Sequence, residues 1–181
     1  MQNESFIRPD DLWHSVGLRA DQTVVHLGCG AGFYLVPAAH IVGQHGKAIG
    51  IDILPDMLAE VENRARRDRV EDIVQTKRAN LESPNGSGIE AGSVDWVLVA
   101  NILHQSDPQA ILQEAKRIMA AHGRLLVVEW GTAASPFGPP PAARRPKEDV
   151  IAMAQQLGLA VEREFRPSNY HYGLLLSKKG S

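Results

Sequence analysis

The order of apolar runs along the chain constrains its fold more than any other feature of the sequence. Short β-branched runs alternate with longer helix-like stretches through the first two thirds of the 181 residues. This alternation is typical of a parallel sheet with helices packed on both faces. A chain of this length suits one domain, which buries roughly 70% of the surface that its unfolded form exposes. We therefore expect a single α/β domain over residues 1–181, with an N-terminal helical segment at 1–20.

The individual elements are predicted from two periodicities: alternating or continuous apolar runs for strands, and apolar residues every three or four positions for helices. Strands are predicted at 23–27, 47–52, 73–77, 94–100, 124–130, 160–165 and 171–177. Helices are predicted at 33–42, 55–69, 107–122 and 148–157. The last two strands are expected to pair antiparallel at the edge of the sheet. Residues 133–146 contain five prolines, which predicts an irregular loop at one end of the sheet that can carry function.

Composition and charge exclude several classes of protein. Lysine and arginine total 19 against 21 acidic residues, a net charge of -2, which gives no general electrostatic footprint for nucleic acid or an anionic membrane. Cys29 is the only cysteine, so an intramolecular disulfide and cysteine-based metal sites are excluded. Residues 1–10 are polar and lack the apolar run of a secretion signal. We expect a cytoplasmic monomer or homodimer with no metal, no nucleic acid partner and no membrane insertion.

A glycine-rich turn connects the first predicted strand to the first predicted helix. Gly28, Gly30 and Gly32 stand where the backbone must turn sharply and approach a ligand without Cβ atoms in the way. Asp52 ends the next strand, where its two oxygens can accept both hydroxyls of an adenosine ribose. Together they predict a nucleoside site at the carboxyl ends of the strands. The alternatives are an ordinary strand-to-helix connection and a solvated or capping acid.

Phe33 distinguishes between two kinds of nucleotide ligand. It occupies the position where a third glycine would complete the dinucleotide fingerprint, so a pyrophosphate would lose its close approach to the backbone there. An adenosine ligand without phosphate still fits the turn. A nicotinamide-dependent oxidoreductase stays open as an alternative, because it would share the glycine turn and Asp52.

Residues 24–32, VVHLGCGAG, resemble the first motif of the class I S-adenosylmethionine-dependent methyltransferases. The resemblance continues in register along nearly the whole chain: residues 50–58 are similar to the family's second-strand segment, 79–82 to its third-strand loop, 95–104 to the fourth-strand segment beside the sulfonium, and 121–129 to the turn into strand five. The tail also resembles a branch of small methyltransferases related to the quinone-modifying type. The resemblance implies a Rossmann-like seven-stranded mixed sheet of order 3-2-1-4-5-7-6, with the last strand antiparallel and helices on both faces.

The resemblance also implies S-adenosylmethionine as the cofactor and assigns contacts to it. Asp52 would hold the ribose and Ile53 would pack on the adenine. Asn80 would hydrogen-bond the adenine amino group, and Leu81 would donate a backbone N–H. The cofactor contacts implied in full are His26, Gly28, Cys29, Gly30, Gly32, Phe33, Asp52, Ile53, Met57, Asn80, Leu81 and Asn101.

The sequence departs from the family pattern at three places. His26 stands where most relatives have an acid that contacts the amino group of the methionine moiety, and we expect a satisfied, partly buried ring or a wall of the cofactor pocket there. Asn80 stands where an acid is frequent, although its amide oxygen still accepts a hydrogen bond. The exit of the fourth strand, residues 100–103, lacks the Asn/Asp-Pro-Pro-aromatic signature of enzymes that methylate exocyclic nitrogens. This last departure disfavours methylation of nucleic-acid amino groups.

The resemblance implies in-line transfer of a methyl group to a nucleophile on a small-molecule acceptor, with residues 133–146 near the active site. His104, Tyr170 and His171 are the candidates for a base that takes the acceptor's proton. Each has a structural alternative, because a histidine after an apolar strand is as often packed, and alternation along a strand explains the other two.

The function of the chain, the arginine pair at 144–145 and Cys29 each have more than one possible interpretation. The chain could instead be a catalytically silent sensor or partner subunit that binds S-adenosylmethionine or S-adenosylhomocysteine, which His26 and the compact size of the chain suggest. Arg144 and Arg145 are interpreted as a solvated pair rather than as a site for an anionic substrate. Cys29 is expected to be a small packed residue, although a helix N-terminus could lower its pKa.

Overall fold

The strands of the protein form one mixed sheet whose order confirms the order that the resemblance implies. The computed structural model describes residues 6–180. The strands are β1 (Thr23–Leu27), β2 (Lys47–Asp52), β3 (Val74–Arg78), β4 (Val94–Ala100), β5 (Met119–Trp130), β6 (Leu159–Phe165) and β7 (His171–Lys178). Their order is β3-β2-β1-β4-β5-β7-β6. Strands β1 to β5 pair in parallel, whereas β7 is antiparallel to both β5 and β6.

Within residues 6–180, one α-helix precedes β1 and four more connect successive strands. They are α1 (Pro9–Val16), α2 (Leu35–Val42), α3 (Pro55–Arg67), α4 (Pro108–Ile118) and α5 (Lys147–Gln156), and a short 3₁₀ turn spans Pro141–Ala143. Helices α1, α3 and α4 begin with proline, whose fixed φ suits the first helical position. Asp107 caps α4, since its carboxylate accepts the N–H groups of Gln109 and Ala110.

The helices divide between the two faces of the sheet, because successive side chains of a strand point to opposite faces. Val24 lies in an apolar cluster with residues of α1 and α2, and α3 extends this layer next to α2. Val25 and Leu27 lie in the cluster that holds residues of α4 and α5. The carboxyl ends of β1 to β5 lie at one end of the sheet, together with the turn from β6 to β7. We call this end the carboxyl edge.

Three predicted boundaries are wrong, and strand pairing explains two of them. Helix α4 ends at Ile118 instead of continuing to residue 122, because Met119 already pairs with Val94 of β4. A register shift in this pairing accommodates the extra residues between Met119 and Arg124. Strand β5 therefore begins at Met119 and is longer than predicted. Helix α2 begins at Leu35 rather than at Phe33, which stays in the turn. Of the N-terminal segment predicted at 1–20, residues 9–16 form α1, and residues 1–5 lie outside the described residues.

Candidate active site

The turn from β1 to α2 is held against the neighbouring strand by backbone hydrogen bonds. The N–H groups of Gly28 and Cys29 both donate to the carbonyl of Ile51, at 2.8 and 2.9 Å. Gly28 and Gly30 have φ angles of 72° and 49°, in the left-handed region that favours glycine. The turn therefore has a fixed geometry before any ligand binds.

Gly28 and Gly30 differ in their surroundings. The prediction that both leave room for a ligand is corrected at Gly28. A Cβ on Gly28 would lie 2.2 Å from Cδ1 of Ile102, so the tip of this side chain occupies the space beside Gly28 and would have to move for a larger residue. A Cβ on Gly30 would have no neighbour within 4 Å. The open approach for a ligand is thus at Gly30, whereas the Ile102 side chain covers Gly28.

Asp52 connects the tip of β2 to this turn. One of its carboxylate oxygens accepts the N–H of Gly30 at 2.9 Å, and the other accepts the N–H of Leu54 at 3.0 Å. Each oxygen keeps a lone pair for a further donor. Beside it, Ile53 exposes 52% of its surface at the carboxyl edge. The arrangement offers two directed acceptors next to an exposed apolar side chain.

Cys29 is packed behind the turn. Its sulfur lies 2.9 Å from the point that a Cβ on Gly50 would occupy. Burial raises the pKa of the Cys29 thiol to about 12, and the charge of Asp52 adds to this effect. The thiol is therefore protonated at neutral pH, and the possibility that a helix N-terminus lowers its pKa is wrong.

The other residues proposed to contact the cofactor lie around the same edge, but not all expose their side chains. Asn80 is exposed, and its amide oxygen accepts the N–H of Glu82 at 3.0 Å. Leu81 is buried in the α4-side cluster, which leaves only its backbone for a ligand. Met57 is half-buried in the first turn of α3. Phe33 exposes 48% of its surface and packs edge-on against Tyr34.

Two buried polar groups at the ends of β1 and β4 lack hydrogen-bond partners. Both ring nitrogens of His26 are unpartnered within the described residues, and so is the amide oxygen of Asn101. His26 is 2% exposed and lies edge-on to the Tyr34 ring. Burial lowers the pKa of His26 to about 3, so the ring is neutral at pH 7. The expectation of a satisfied, partly buried ring is thus wrong, and the alternative, a wall of the cofactor pocket, stays a prediction.

Glu129, which the sequence analysis did not select, lies buried beneath the loop after β4. Its carboxylate accepts the N–H of Leu103 at 2.7 Å and the N–H of Trp130 at 3.3 Å. Nδ1 of His104 lies 3.5 Å from Oε2 of Glu129, close enough for an ion pair but without hydrogen-bond geometry. Burial raises the pKa of the Glu129 carboxyl, against the opposing effects of these N–H groups and of His104. An acid at the end of an apolar strand was the signal that could have identified it.

His171 lies on the other side of the carboxyl edge, where β7 begins. Its ring packs at 4.1 Å on the Trp130 ring, and its Nδ1 lies 2.8 Å from the hydroxyl of Ser168. Ser168 also accepts the N–H of Tyr170 at 3.0 Å. Burial lowers the pKa of His171 to about 4, and the charge of Arg144 adds to this effect. His171 is therefore also neutral at pH 7, on a strand that lies between β5 and β6.

Arg144 fixes the proline-rich loop, which corrects its interpretation as a solvated side chain. It is 5% exposed. Its guanidinium donates five hydrogen bonds to the loop, to the carbonyls of residues 131, 133, 137 and 139 and to the hydroxyl of Ser135, at 2.7 to 2.9 Å. The guanidinium also lies 5.6 Å from the Trp130 ring. The loop is thus an ordered wall of the carboxyl edge.

An aromatic cluster brings the start of the chain to this wall. The ring of Phe6 lies 5.1 Å from that of Phe137 and 5.6 Å from that of Tyr170, and the last two lie 5.2 Å apart. Tyr170 and His171 are therefore together at the β6–β7 turn. His104 lies at the exit of β4, beside Glu129.

Two features are absent from residues 6–180. In that part of the chain, no group of three or more His, Cys, Asp or Glu side chains is arranged to hold a metal ion. No helix within the same residues is long and apolar enough to cross a membrane.

Comparison with known proteins identifies the domain. A family model described as a methyltransferase domain matches residues 18–161. A solved structure described as a type 11 methyltransferase from Sulfolobus solfataricus is 30% identical, covers 98% of this chain and 95% of that one, and superposes with a TM-score of 0.79. A methyltransferase from Aquifex aeolicus, at 24% identity, covers 94% of this chain and 89% of that one and shares the fold with a TM-score of 0.85.

Curated relatives are longer than this chain. A demethylmenaquinone methyltransferase from Oceanobacillus iheyensis is 23% identical over 120 residues, which are 66% of this chain and 49% of that protein. The chain thus spans about half the length of that relative. Because the family model covers most of the chain and the Sulfolobus structure matches it nearly end to end, the chain belongs to the methyltransferase domain family.

Proposed function

We propose that the protein is an S-adenosylmethionine-dependent methyltransferase that acts on a small-molecule acceptor. The observation that carries the proposal is the contact between the glycine turn and the carboxylate of Asp52. The carboxylate is held by the N–H of Gly30, yet both of its oxygens keep a lone pair at the carboxyl edge. This arrangement suits the vicinal hydroxyls of a ribose.

The residues of the chain fit a ligand with an adenosine at one end and an amino acid at the other. Asp52 would hold the ribose, and the exposed Ile53 would cover the adenine, with Asn80 at its rim. The unpartnered oxygen of Asn101 can accept a hydrogen bond from a donor such as an ammonium group. A buried polar group left unsatisfied costs about 1 to 3 kcal/mol, so a ligand donor there stabilises both partners.

Methyl transfer demands little covalent chemistry of the protein. When bound, S-adenosylmethionine supplies a methyl group activated by a cationic sulfur. The protein's residues have to align the acceptor and exclude water, an effect worth up to ~7 to 11 kcal/mol when the geometry is near ideal. The loop ordered by Arg144 and the cluster of Phe6, Phe137 and Tyr170 provide a water-excluding wall.

His104 is the proposed base where the acceptor must lose a proton, and Glu129 is its positioning residue. The Glu129 carboxylate fixes the loop through the N–H of Leu103 and lies beside Nδ1 of His104. This leaves Nε2 of His104 as the nitrogen that can accept a proton. His171, with its depressed pKa, would stay neutral above pH 5. Tyr170 and His171 are proposed to line the acceptor site.

We expect a pH-rate profile to separate the two histidines. An inflection between pH 5 and pH 9 that is present in the native enzyme and lost in His104→Gln would assign the base to His104. The same inflection should persist in His171→Gln, because that ring does not titrate in this range. A profile that is flat from pH 5 to pH 9 would show that neither histidine acts as a base.

The names of similar proteins support a small acceptor. Demethylmenaquinone methyltransferase, named above, acts on a small molecule, and so does aklanonic acid methyltransferase of Streptomyces. A cytoplasmic location, a monomeric or homodimeric state and the absence of a nucleic acid partner are part of the proposal, and the net charge of -2 supports the last of these.

Replacing Asp52 tests the proposal directly. In Asp52→Ala the affinity for S-adenosylmethionine is expected to fall about 100-fold, since two hydrogen bonds to a charged acceptor are lost. Titration calorimetry measures this. Asp56→Ala is the matched control, because Asp56 is an exposed acid in the first turn of α3, and its affinity should be unchanged. Equal affinity of the native protein and Asp52→Ala would refute the proposal. So would binding of NADH without binding of S-adenosylmethionine.

A silent sensor is the second candidate, and His26 is the observation that favours it. A neutral, buried ring at this position supplies no negative charge to the amino group of the cofactor. Binding of S-adenosylmethionine without release of S-adenosylhomocysteine across a broad screen of acceptors would support the sensor. Release with any acceptor would exclude it.

A further inference from the structure

We propose that a groove between α1 and the β6–β7 turn binds the anionic end of an amphipathic acceptor, with Arg163 and Arg166 as its cationic groups. The inference rests on the proposed function, because it assigns a substrate class to the same active site. It commits to a small molecule with an apolar body and a carboxylate or phosphate end.

The groove has the size and the lining of a small-molecule site. Its volume is about 390 Å³, within the range of roughly 300 to 1,000 Å³ that is typical of ligand pockets. Its apolar walls come from the N-terminal segment, from β6 and from the turn after β6, and include Phe6, Ile7, Leu12, Phe165 and Pro167. An apolar chain can therefore lie along it and leave water.

The charges of the groove do not cancel. Arg8 is paired with Asp11 at 3.3 Å, so this pair contributes no net charge. Arg163 donates to the carbonyl of Ser15 at 3.0 Å and packs on the Phe165 ring. Neither this arginine nor Arg166 has a carboxylate within ion-pairing distance among residues 6–180. Among residues 6–180, these two positive charges therefore face the groove without a compensating acid.

Arg166 lies where the groove meets the active site. Its Nε donates to the carbonyl of Ser168 at 3.2 Å, and its Nη2 donates to the carbonyl of Asn169 at 2.8 Å. A guanidinium has five N–H donors, so donors remain for an anion. Because both bonds go to carbonyls, they position the side chain without neutralising it. A carboxylate or phosphate supplies the missing charge through bidentate hydrogen bonds.

Phe6 connects the groove with the rest of the active site. Its ring lines the groove and also contacts Phe137 and Tyr170. An acceptor anchored at the two arginines would therefore run past Phe6 toward the aromatic cluster. This continuity favours a substrate of the same site over an unrelated ligand. None of the residues that line the groove belongs to the glycine turn, which matches a site for the part of the acceptor that does not react.

Octanoate, octyl phosphate and octan-1-ol are suitable probes, since they share an apolar chain and differ at one end. The native chain, saturated with S-adenosylhomocysteine, is titrated with each by calorimetry at pH 7. Both anions are expected to bind at least about ten-fold more tightly than the alcohol, because a charge-assisted pair is lost in the alcohol. A preference between the two anions identifies the carboxylate or the phosphate as the natural end group.

Variants separate charge from shape. Arg163→Ala/Arg166→Ala should weaken octanoate binding about ten-fold and leave octan-1-ol unchanged. Arg163→Lys/Arg166→Lys keeps the charge and should retain binding within about three-fold. Arg124→Ala is the matched control, because Arg124 already pairs with Glu162 and is absent from the groove. Crystals of the S-adenosylhomocysteine complex grown with octanoate should place the carboxylate between Arg163 and Arg166.

Several outcomes would overturn the inference. These are equal affinities for octanoate and octan-1-ol, unchanged octanoate binding in the double alanine variant, a carboxylate elsewhere in the crystals, or binding only to phosphatidylglycerol vesicles. Failure of the cofactor proposal can be distinguished from failure of the anion site. If S-adenosylhomocysteine does not bind but octanoate still requires the two arginines, the methyltransferase assignment fails and the anion site stands, without its role in methylation.

Discussion

Acidification from pH 7 to pH 4 is expected to lower the free energy of unfolding by about 3 kcal/mol through His26 alone. The pKa of this ring is about 3 in the folded protein, against an ordinary value of 6.5 that applies to the unfolded chain. Below pH 6.5 the His26 ring of the unfolded chain binds a proton, whereas the ring of the native protein stays unprotonated until the pH approaches 3. The unfolded state is thus favoured increasingly as the pH falls toward 3, and the stability is fully present only above pH 6.5.

Two other buried groups modify this dependence. His171 adds to it, because its pKa of about 4 is also depressed by burial and by Arg144. Glu129 opposes it, because burial raises the pKa of its carboxyl and the native state takes up that proton first. A single curve of stability against pH therefore mixes three titrations. A difference between variants isolates His26.

Urea unfolding of the native protein and of His26→Gln, measured from pH 7 to pH 4, provides that difference. The loss of stability over this range should be about 3 kcal/mol smaller in the variant, whatever its stability at pH 7. His122→Gln is the matched control for replacing a histidine at an exposed position. If His26→Gln unfolds at pH 7, His26→Phe replaces it. Parallel curves for the native protein and the variant would show that His26 does not control the acid limb.

The architecture could be predicted from the sequence because its signals are local and periodic. Every predicted strand is present, and the sheet order is the one that the resemblance implies. The boundaries that failed depend on contacts between distant residues. The end of α4 is set by the pairing of Met119 with Val94, which no periodicity along the helix reveals.

The same distinction explains which parts of the site were missed. The glycine turn and Asp52 are recognisable because residue type and spacing encode their geometry. In the sequence, Glu129 is only the acid at the end of an apolar strand. The fold places its carboxylate within hydrogen-bond distance of the N–H of Leu103. In the sequence, Arg144 is a charged residue in a proline-rich loop. The fold surrounds its guanidinium with backbone carbonyls. The Ile102 side chain over Gly28 is likewise a contact between elements that are distant in sequence.

Replacing Arg144 is expected to have the largest effect of any change in the proline-rich loop. Arg144→Ala removes five hydrogen bonds at once and leaves four carbonyls without their donor. The expected loss of stability is about 2 to 4 kcal/mol, less than the sum of the bonds because the freed carbonyls can turn toward water. The loop should open rather than the whole domain unfold, because the guanidinium bonds only to the loop and its approach from β5.

Three measurements test this expectation, and the neighbouring Arg145 is the matched control. Urea unfolding gives the stability, and amide exchange reports the order of residues 131–138. A histidine NMR titration gives the pKa of His171, which should rise because the positive charge beside it is gone. Arg145→Ala should leave all three unchanged, since its Nε has no partner in the described structure. Arg144→Lys keeps the charge but not the planar fork, so it should preserve the His171 pKa while losing part of the loop's order. Arg144→Ala with native stability and native amide protection would show that the prolines alone hold the loop.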